Sequence, residues 1–596
     1  MKQEKHIPIL NVEQSIAERF DLIAESFADK LAVRDGNTDI TYRSLQEKAN
    51  VIANHILALG SGEKQIAFFL SFGSGQMVAI LGIIKTGCAY VPLDTSWPAH
   101  RIEFSIKDSS AAAIITDNIN IGQVKALSGD RVIINIDELD FNQNTQRPDL
   151  TPTADDVMHI LYTSGSTGEP KGVYTSQRNQ LHFIKRFSEY INITPDDIFA
   201  YYFSIGFSAH AMQSLGALLN GATLVMYNLP KFGFPGLAGF FNKERITVCL
   251  MIPSVLRHFR ATLDKDFKMN NLRTLMIGGE TLYFNDIKQI RPYLKRQTEI
   301  INIYASTEMF LACAFRIQKD TVLKQNIIPI GDPVDGIEIE IRNEDGKACE
   351  PNQVGEMIIL SQYTALGYWN KAELTRQDFP VEGQFNSRDL AYRQSDGALV
   401  HVGRKDAMIK IRGQRVDLGE IENTLLFSKD MQEVAVVLKE DPVGNKALVA
   451  YYVCSPGKEV DMTDIKHALV RRLPDFMVPR FVLRLEGLPK TDSGKTDYSS
   501  LPDPDWKKTS RKEDIKHASN PVEEQLVSVF EKHLEVYPVG VQDNILQAGH
   551  DSLKLFVAFD AIEKAFHTKL DLDNFIANPT IEALAITINQ TSDSKE

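Results

Sequence analysis

The most constraining feature of the sequence is a long alternation of short apolar runs with longer mixed stretches, from about residue 41 to residue 400. Residues 65–70, for example, predict a buried strand, and residues 50–59 and 76–86 on either side of it predict helices. Alternation of this kind is typical of α/β proteins with largely parallel sheets. Further strands are predicted at residues 112–116, 132–136, 223–227, 275–277 and 300–303. We therefore predict one large α/β region.

A smaller unit follows after residue 402. It mixes strand and helix patterns without strict alternation, which indicates a small α+β domain. Strands are predicted at residues 407–411, 434–439 and 447–453, and helices at residues 418–426 and 464–473.

The last part of the chain has a different character. Residues 503–520 contain proline, lysine and serine without apolar periodicity, which is typical of a linker. Beyond Pro521 the residues Leu526, Phe530 and Leu534 recur every four positions, which predicts a helix and a terminal helical bundle. A chain of 596 residues also exceeds the size of one hydrophobic core. The predicted regions are 1–402, 403–505, 506–520 and 521–596.

Charge and composition narrow the function classes. The formal net charge of −13 argues against nucleic-acid binding, because that requires a concentrated basic face. The longest apolar run, residues 77–84, is far shorter than the roughly 20 residues of a membrane span, and the polar N-terminus lacks the apolar core of a signal peptide. The five cysteines are scattered without a Cys-x-x-Cys pair, which favours reduced thiols. We expect a cytoplasmic protein with no nucleic-acid and no membrane partner.

A loop at residues 161–172, with the sequence Leu-Tyr-Thr-Ser-Gly-Ser-Thr-Gly-Glu-Pro-Lys-Gly, follows a predicted strand. Its glycines let backbone N–H groups approach phosphate oxygens, its hydroxyls donate hydrogen bonds, and its lysine supplies charge. It is not a Walker A loop, because Pro170 stands where the second glycine would be. The loop predicts a triphosphate ligand, and a flexible Ser/Gly linker is the alternative. The predicted phosphate-binding residues are Thr163, Ser164, Gly165, Ser166, Thr167, Gly168 and Lys171.

This loop resembles the signature of the adenylate-forming superfamily, and in particular the adenylation domains of nonribosomal peptide synthetases. Further segments resemble that family in the same order, and the resemblance extends from about residue 11 to residue 501. They are residues 81–94, 304–308 (Tyr-Ala-Ser-Thr-Glu), 367–369 (Gly-Tyr-Trp), Asp389, 403–406 (Gly-Arg-Lys-Asp), 409–413 and 488–495 (Leu-Pro-Lys-Thr-Asp-Ser-Gly-Lys). The resemblance implies a large adenylate-forming N-terminal domain followed by a small mobile C-terminal domain.

The resemblance also assigns roles in binding ATP. Glu308 would hold Mg²⁺, Thr307 would bind the α-phosphate, and Tyr304 would flank the adenine. Asp389 would accept the ribose hydroxyls with help from Arg404. Lys495 would contact both the substrate carboxylate and the adenylate oxygens, so that Lys495, Thr307 and Glu308 are the predicted catalytic residues. The alternatives are a strand end with a helix cap at residues 304–308, a surface aspartate and a solvated lysine.

Other implied roles concern domain movement. Asp406 would be the hinge between two half-reactions, and Gly413 would lie beside the incoming thiol arm. The chain also departs from the family pattern, because Ser387-Arg388-Asp389 replaces Thr-Gly-Asp and Ala305-Ser306 replaces Gly-Pro.

Residues 543–553 resemble the phosphopantetheine attachment site of carrier proteins, with Ser552 as the attachment residue, and residues 576–584 resemble the approach to the last carrier helix. One alternative for Ser552 is a simple helix cap. A hydrolase triad with His550 and Asp551 is the other, although no Gly-x-Ser-x-Gly elbow surrounds the serine.

Taken together, the resemblance implies ATP-dependent activation of a carboxylic or amino acid as an acyl-adenylate, with release of pyrophosphate. The acyl group would then be loaded as a thioester on the chain's own phosphopantetheine arm, in nonribosomal peptide-type biosynthesis. The implied partners are the small acid, a phosphopantetheinyl transferase and a downstream condensation or tailoring enzyme. The alternatives are an aryl- or aliphatic-acid ligase for a polyketide-type pathway and a catalytically silent carrier-docking protein.

The predicted substrate pocket carries a further departure. Adenylation domains for α-amino acids usually have an aspartate after a phenylalanine in the fourth core motif, whereas Ser208 follows Phe207 in this chain. The aligned pocket residues are Ser208, Ala209, Met212, Leu250, Met276, Gly278, Ile303, Leu311 and Ala312. Because a buried ammonium without a carboxylate is costly, we predict an acid that lacks a free α-ammonium, or else an amino acid whose amine lies elsewhere. The alternative is that a nearby acidic side chain replaces the aspartate.

Overall fold

The structure of the chain is a computed structural model. It describes residues 9–36, 38–60, 64–97, 99–163, 170–318, 321, 327–405, 409–411, 414–416, 418–426, 428, 430–440, 446–460, 465, 469, 473, 477–491, 495–506, 516–534, 539–543, 545, 552–566, 568, 570, 575 and 578–593. The chain divides into two compact units. The first comprises Met1–Ala435, Val453–Phe476 and Glu486–Asp497, and the second comprises Val436–Tyr452, Met477–Leu485 and Tyr498–Glu596.

The strands of the described residues are numbered in chain order. They are β1 (Leu31–Asp35), β2 (Thr38–Thr41), β3 (Gln65–Phe69), β4 (Ala89–Pro92), β5 (Ala113–Thr116), β6 (Val132–Asn135), β7 (Val157–Thr163), β8 (Lys171–Ser176), β9 (Ile198–Tyr201), β10 (Thr223–Met226), β11 (Val248–Met251), β12 (Thr274–Gly278), β13 (Glu299–Ser306), β14 (Phe310–Ile317), β15 (Asp332–Pro333), β16 (Glu338–Arg342), β17 (Gly355–Leu360), β18 (Gly367–Tyr368), β19 (Gln384–Arg393), β20 (Leu399–Arg404), β21 (Ile409–Ile411), β22 (Gln414–Val416), β23 (Met431–Glu440), β24 (Lys446–Cys454) and β25 (Phe481–Arg484).

The α-helices are numbered in the same way. They are α1 (Ile16–Ser26), α2 (Tyr42–Ala58), α3 (Ser74–Ile84), α4 (Ala99–Asp108), α5 (Ile121–Leu127), α6 (Gln177–Ile191), α7 (Ala209–Leu218), α8 (Leu229–Lys243), α9 (Pro253–Ala261), α10 (Phe284–Ile290), α11 (Ala372–Asp378), α12 (Leu418–Leu426), α13 (Pro521–Leu534), α14 (Ser552–Phe566) and α15 (Ile581–Asp593).

The first unit contains a large, mainly parallel sheet. Its strand order over the described residues is β15-β14-β13-β12-β11-β9-β10-β1-β2. The six strands from β13 to β1 run parallel, and antiparallel strands lie at both edges. Strands β10, β11 and β12 are buried along their whole length, as expected for parallel strands whose two faces are both covered.

A second sheet of this unit has the order β18-β8-β7-β4-β3-β5-β6. Strands β7, β4, β3, β5 and β6 are parallel, whereas β8 pairs antiparallel with β7. In that pair Thr163 lies opposite Lys171, so the predicted phosphate loop connects the two strands of a hairpin. The two sheets confirm the predicted α/β architecture.

Smaller antiparallel elements complete the first unit. The sheet β16-β17-β19-β20 places Asp389 of β19 opposite Arg404 of β20. Strands β21 and β22 form a short hairpin, and helix α12 follows it. The pairing of β19 with β20 brings Asp389 and Arg404, two of the predicted ATP-binding residues, side by side.

The second unit combines a small sheet with a helical core. The sheet has the order β23-β24-β25, and β24 and β25 run parallel. Helices α13, α14 and α15 contribute a separate hydrophobic cluster, in which Leu526, Phe530, Ile562 and Ile588 are buried. Leu526 and Phe530 thus lie inward, as their four-residue spacing predicts.

The start of helix α2 differs from the prediction of a helix at residues 50–59. The helix begins at Tyr42, because the Thr41 hydroxyl accepts a hydrogen bond from the Ser44 N–H at 3.2 Å and caps it. Many residues in the first turns of α2 are polar, so the apolar periodicity did not detect where the helix begins. The predicted strands at 65–70, 223–227 and 447–453 match β3, β10 and β24 within one residue at each end. None of the described helices is both long and apolar enough to cross a membrane.

Candidate active site

A cavity of about 900 Å³ lies in the first unit. Part of its wall is formed where the parallel strands β9, β11, β12 and β13 end, by the segments that follow each strand. The carboxyl ends of parallel strands are the usual place for ligands in α/β folds. The predicted residues that line the cavity are Thr163, Lys171, Tyr304, Thr307, Glu308, Asp389, Arg404, Lys495, Ser208, Ala209, Met212, Leu250, Gly278, Ile303 and Leu311.

One end of the cavity holds a network of charged and phenolic groups. Lys171 Nζ lies 2.9 Å from Glu308 Oε1 and 2.8 Å from the Tyr368 hydroxyl. The Tyr368 hydroxyl is also 3.0 Å from Glu308 Oε1 and 3.0 Å from Asp378 Oδ2. Burial, followed by the charges of Glu308 and Asp378, raises the pKa of Tyr368 above its ordinary value, so the phenol stays a hydrogen-bond donor.

The hairpin between β13 and β14 carries the predicted segment at residues 304–308. Its last residues form a turn between two antiparallel strands, so no helix cap is involved. Ser306 Oγ is buried in this wall and has no hydrogen-bond partner among the described residues. A buried hydroxyl of this kind calls for a polar ligand atom.

Asp389 lies in a buried position on the same side of the cavity. The Tyr304 hydroxyl donates a hydrogen bond to its carboxylate, His401 Nε2 is 3.5 Å from Oδ1, and Arg404 Nη1 is 3.9 Å from Oδ1. Burial alone would raise the pKa of Asp389, but the hydrogen bond and charge of His401, with Tyr304 and Arg404, hold it below the ordinary value. The group is therefore an anion at neutral pH that can accept hydroxyl protons.

Lys495 reaches the cavity from a short loop. The loop is closed by the Thr491 N–H, which donates to the Lys495 carbonyl at 2.7 Å, and Lys495 Nζ lies 5.5 Å from the centre of the Phe207 ring. Burial lowers the pKa of Lys495, although the carboxylates of Glu280 and Asp389 act in the opposite direction. The ammonium of Lys495 is thus close to the ring of Phe207 and within the electrostatic reach of Glu280 and Asp389.

A chain of contacts supports this loop from outside the cavity. Lys490 forms an ion pair with Glu433, and His258 Nε2 lies 2.8 Å from Glu433 Oε1. His258 Nδ1 lies 2.8 Å from the Ser254 carbonyl, and the Ser254 hydroxyl donates to Glu280 Oε1 at 3.0 Å. The side chains that surround Lys495 are therefore connected through α9 to β23.

The other end of the cavity is mostly apolar. Met212, Leu250, Ile303 and Leu311 line it, and Ser208 stands just before helix α7. Gly278 allows β12 to pack closely against Ile303 of β13, because a Cβ atom there would lie 2.4 Å from Ile303 Cγ1 and 2.6 Å from the Ile303 carbonyl oxygen. Of the predicted pocket residues, Met276 and Ala312 are buried in β12 and β14 but are not among the cavity-lining residues.

Comparison with known families decides what kind of chain this is. Residues 20–369 match the family described as AMP-binding enzyme, which is more than half of the chain. The chain belongs to the AMP-binding enzyme family. Residues 420–495 match the C-terminal domain of AMP-binding enzymes, and residues 524–588 match the phosphopantetheine attachment site. These matches confirm the predicted resemblance to an AMP-binding enzyme followed by a domain with a phosphopantetheine attachment site.

Curated relatives of this AMP-binding enzyme are much longer than the chain itself. It is 31% identical to bacitracin synthase 3 of Bacillus licheniformis over 97% of its length, but it covers 9% of that protein. It is 32% identical to gramicidin S synthase 2 of Aneurinibacillus migulanus over 96% of its length and covers 13% of that protein. The chain therefore spans a small part of these relatives.

Solved structures show the same fold. A holo four-domain nonribosomal peptide synthetase bound to AMP and glycine has a TM-score of 0.74 and 25% identity, with 98% of this chain and 43% of that chain covered. The anthranilate CoA ligase AuaEII in complex with anthranoyl-AMP has a TM-score of 0.75 and 20% identity, with 82% of this chain and 96% of that chain covered. The adenylate-forming fold is therefore shown.

Some predicted residues of the AMP-binding enzyme lie outside the described residues. They are Ser164, Gly165, Ser166, Thr167 and Gly168 of the phosphate loop, the hinge residue Asp406 and the tunnel residue Gly413. Ser552 is the first residue of α14, and its side chain lies outside the described part of the chain.

Other cavity residues were missed by the sequence reasoning. Asp378, His401 and Glu280 line the cavity and contact predicted residues or their neighbours. Tyr368 could have been found from the sequence, because it belongs to the Gly-Tyr-Trp segment that supported the family resemblance. No helix or strand periodicity marks Asp378 or His401, because each meets its partners across a turn or between neighbouring strands.

Proposed function

We propose that the chain activates a small carboxylic acid with ATP and passes the acyl group to a phosphopantetheine arm on its own Ser552. The observation that carries the proposal is the convergence of Lys171, Glu308, Asp389 and Lys495 on one cavity with an apolar end. These residues come from four separate segments of the sequence, and they supply the cations and anions that a nucleotide needs.

The residues present fit ATP and a magnesium ion. The Ser306 hydroxyl, which has no hydrogen-bond partner among the described residues, lines the cavity together with Thr307. The ionised Asp389 suits the ribose hydroxyls. Lys171 and the loop before it would hold the phosphates, and Tyr304 would lie beside the adenine. Glu308 would hold Mg²⁺, which is commonly bound through one or two carboxylates together with substrate phosphates.

In the first half-reaction a carboxylate oxygen of the acid attacks the α-phosphorus of ATP. The bond between that phosphorus and the oxygen bridging to the β-phosphate breaks, and the electron pair leaves with pyrophosphate. Lys495 would neutralise the carboxylate as it approaches and the charge on the α-phosphoryl oxygens as it develops. Its position in the cavity wall, with Nζ beside the ring of Phe207, supports this role.

In the second half-reaction the arm on Ser552 supplies a thiol that accepts the acyl group, with AMP as the leaving group. Lys495 would withdraw from the cavity, Asp406 would act as the hinge, and the absence of a side chain at Gly413 would leave room for the arm. The match to the phosphopantetheine attachment site supports this step. Thioester formation would then require a phosphopantetheinyl transferase, and a condensation or tailoring enzyme would use the product.

The apolar end favours an acid without a free α-ammonium, such as a hydroxy, keto, aryl or aliphatic acid. Ser208 offers a hydroxyl where an ammonium would need a carboxylate, and its neighbours Ala209 and Met212 carry no charge. Glu280 supports the competing case of an amino acid, because its carboxylate lines the cavity. However, both of its oxygens already accept hydrogen bonds from Ser254, at 2.9 and 3.0 Å.

The proposed function assigns a role to each of the regions predicted from the sequence. The large adenylation part would comprise residues 1–402, the small mobile part residues 403–505, and the carrier domain residues 521–596 after a linker at 506–520. A reducing cytoplasmic location accords with the five free cysteines.

ATP–pyrophosphate exchange tests the first half-reaction, with panels of amino, hydroxy, keto, aryl and aliphatic acids. We expect exchange with at least one acid and its loss in Lys495→Ala. Intact-protein mass spectrometry after treatment with a transferase and coenzyme A should then show the arm and the added acyl group on the same chain. If the chain accepts the arm but shows no exchange with any acid, the result would contradict the proposed activity. It would favour the alternative of a catalytically silent carrier-docking protein.

A further inference from the structure

Arg388 has an unusual backbone conformation in the wall of the cavity. Its φ of 58° lies in the left-handed region, which is sterically unfavourable for a residue with a Cβ atom. Four of the eight non-glycine residues with positive φ in the described chain are asparagines, which tolerate it better than arginine. Strained residues of this kind are concentrated at ligand sites. A glycine would adopt this conformation without strain. The contacts of the Arg388 side chain must therefore offset the free-energy cost of its backbone conformation.

The guanidinium of Arg388 is held by one carboxylate. Its Nε and Nη2 atoms donate to Asp378 Oδ1 at 3.0 and 2.7 Å, and its side chain is 28% exposed while lining the cavity. Arginine has five N–H donors in a planar fork. Among the described residues Nη1 has no hydrogen-bond partner, so part of the fork is available to a ligand.

Asp378 also connects Arg388 to the groups proposed to bind phosphate. Its other oxygen, Oδ2, accepts from the Tyr368 hydroxyl at 3.0 Å, and that hydroxyl lies 3.0 Å from Glu308 Oε1. Lys171 Nζ is 2.9 Å from the same Glu308 oxygen. Two cations, Lys171 and Arg388, are therefore joined through Glu308, Tyr368 and Asp378 along one wall of the cavity.

We propose that Arg388 is a second cation for the polyphosphate of the nucleotide, held ready by Asp378. The proposal rests on ATP being the ligand of the cavity. The free part of the guanidinium would donate to phosphate oxygens beyond the α-phosphate, and the ion pair with Asp378 would keep the side chain directed into the cavity. Guanidinium groups suit this role because they donate paired hydrogen bonds to phosphate.

The test is calorimetric binding of ATP, AMP and pyrophosphate, each with Mg²⁺, to the full chain and to Arg388→Gly and Arg388→Lys. We expect Arg388→Gly to weaken ATP and pyrophosphate about tenfold, as for loss of one hydrogen bond to a charged group, and to change AMP binding less than about twofold. Arg388→Lys should fall between, because it keeps the charge without the fork. The thermal midpoint of each variant is measured alongside, because Arg388→Gly relieves the backbone strain but also removes the ion-pair partner of Asp378, whose side chain is 6% exposed.

Arg404→Gln is the matched control, because Arg404 lies beside Asp389 and should affect AMP and ATP equally. Equal weakening of AMP and ATP by Arg388→Gly would show that Arg388 only shapes the loop next to Asp389, and unchanged ATP binding would show that its ion pair is structural. Either result overturns the inference while leaving the proposed function intact. Failure of the unaltered chain to bind ATP would instead overturn the proposed function.

Discussion

The imidazole of His258 contacts the carboxylate of Glu433, with Nε2 2.8 Å from Oε1. Glu433 also pairs with Lys490, which lies in the loop that carries Lys495. Burial would raise the pKa of Glu433, but the hydrogen bond and charge of His258 and the charge of Lys490 lower it. Glu433 is therefore an anion that ties the loop of Lys495 to helix α9.

Glu433→Gln should slow adenylation, because the loop loses its anchor and Lys495 occupies the cavity less often. We expect kcat for ATP–pyrophosphate exchange to fall about tenfold, with little change in the KM for ATP. Glu440→Gln, at the exposed end of the same strand, is the control and should behave like the unaltered chain. A double-mutant cycle with His258→Gln should show coupling of about 1 to 3 kcal/mol, and strict additivity would contradict the contact.

Adenylation should have an alkaline limit set by Lys495. Burial lowers the pKa of Lys495 below its ordinary value, so the ammonium loses its proton at a lower pH than an exposed lysine does, and the rate should fall there. Lys495→Arg should move that limb to higher pH, because arginine stays charged, and Lys495→Ala should lose exchange without unfolding. Lys347→Ala, in an exposed turn, is the control. An alkaline limb that is unchanged in Lys495→Arg would assign the limit to another group.

Ser552→Ala should separate the two half-reactions. Exchange should stay at the level of the unaltered chain, because the cavity keeps all its residues, whereas covalent loading should disappear with the attachment hydroxyl. Intact mass after transferase treatment measures the loss. Ser528→Ala, at an exposed position of helix α13, should retain the added arm. An arm on the Ser552→Ala protein would place the attachment site elsewhere.

Ser208→Asp should change substrate preference. If a missing negative charge is what excludes α-amino acids, the new carboxylate should raise exchange with an L-α-amino acid relative to its deaminated analogue. An interaction of about 1.4 kcal/mol between the carboxylate and the substrate ammonium corresponds to a tenfold increase. Ser208→Asn is a control of similar size without the charge. Strong exchange of an ordinary L-α-amino acid over that analogue by the unaltered chain would contradict the predicted substrate class and point to Glu280.

The amino-acid sequence by itself determined the α/β class, the carrier domain and the cavity residues that belong to local motifs, such as Lys171, Glu308 and Asp389. Lys171 begins β8, Glu308 lies in the turn after β13, and Asp389 lies within β19. Each belongs to a short sequence pattern that is enough to identify it. The start of α2 was missed because a polar first turn capped by Thr41 carries no apolar signal.

Only the tertiary structure decided which side chains meet around the cavity. Asp378 contacts Tyr368 and Arg388, each ten residues away in the sequence, and Glu433 contacts His258 from a distant segment. No helix or strand periodicity encodes these contacts. Such contacts depend on how strands and helices pack, and packing is a property of the whole fold. Packing also decides which residues of one strand reach the cavity. Gly278 of β12 lines it, whereas Met276, two residues earlier in the same strand, does not. The motifs thus identify the chemistry, and the packing selects the side chains that position it.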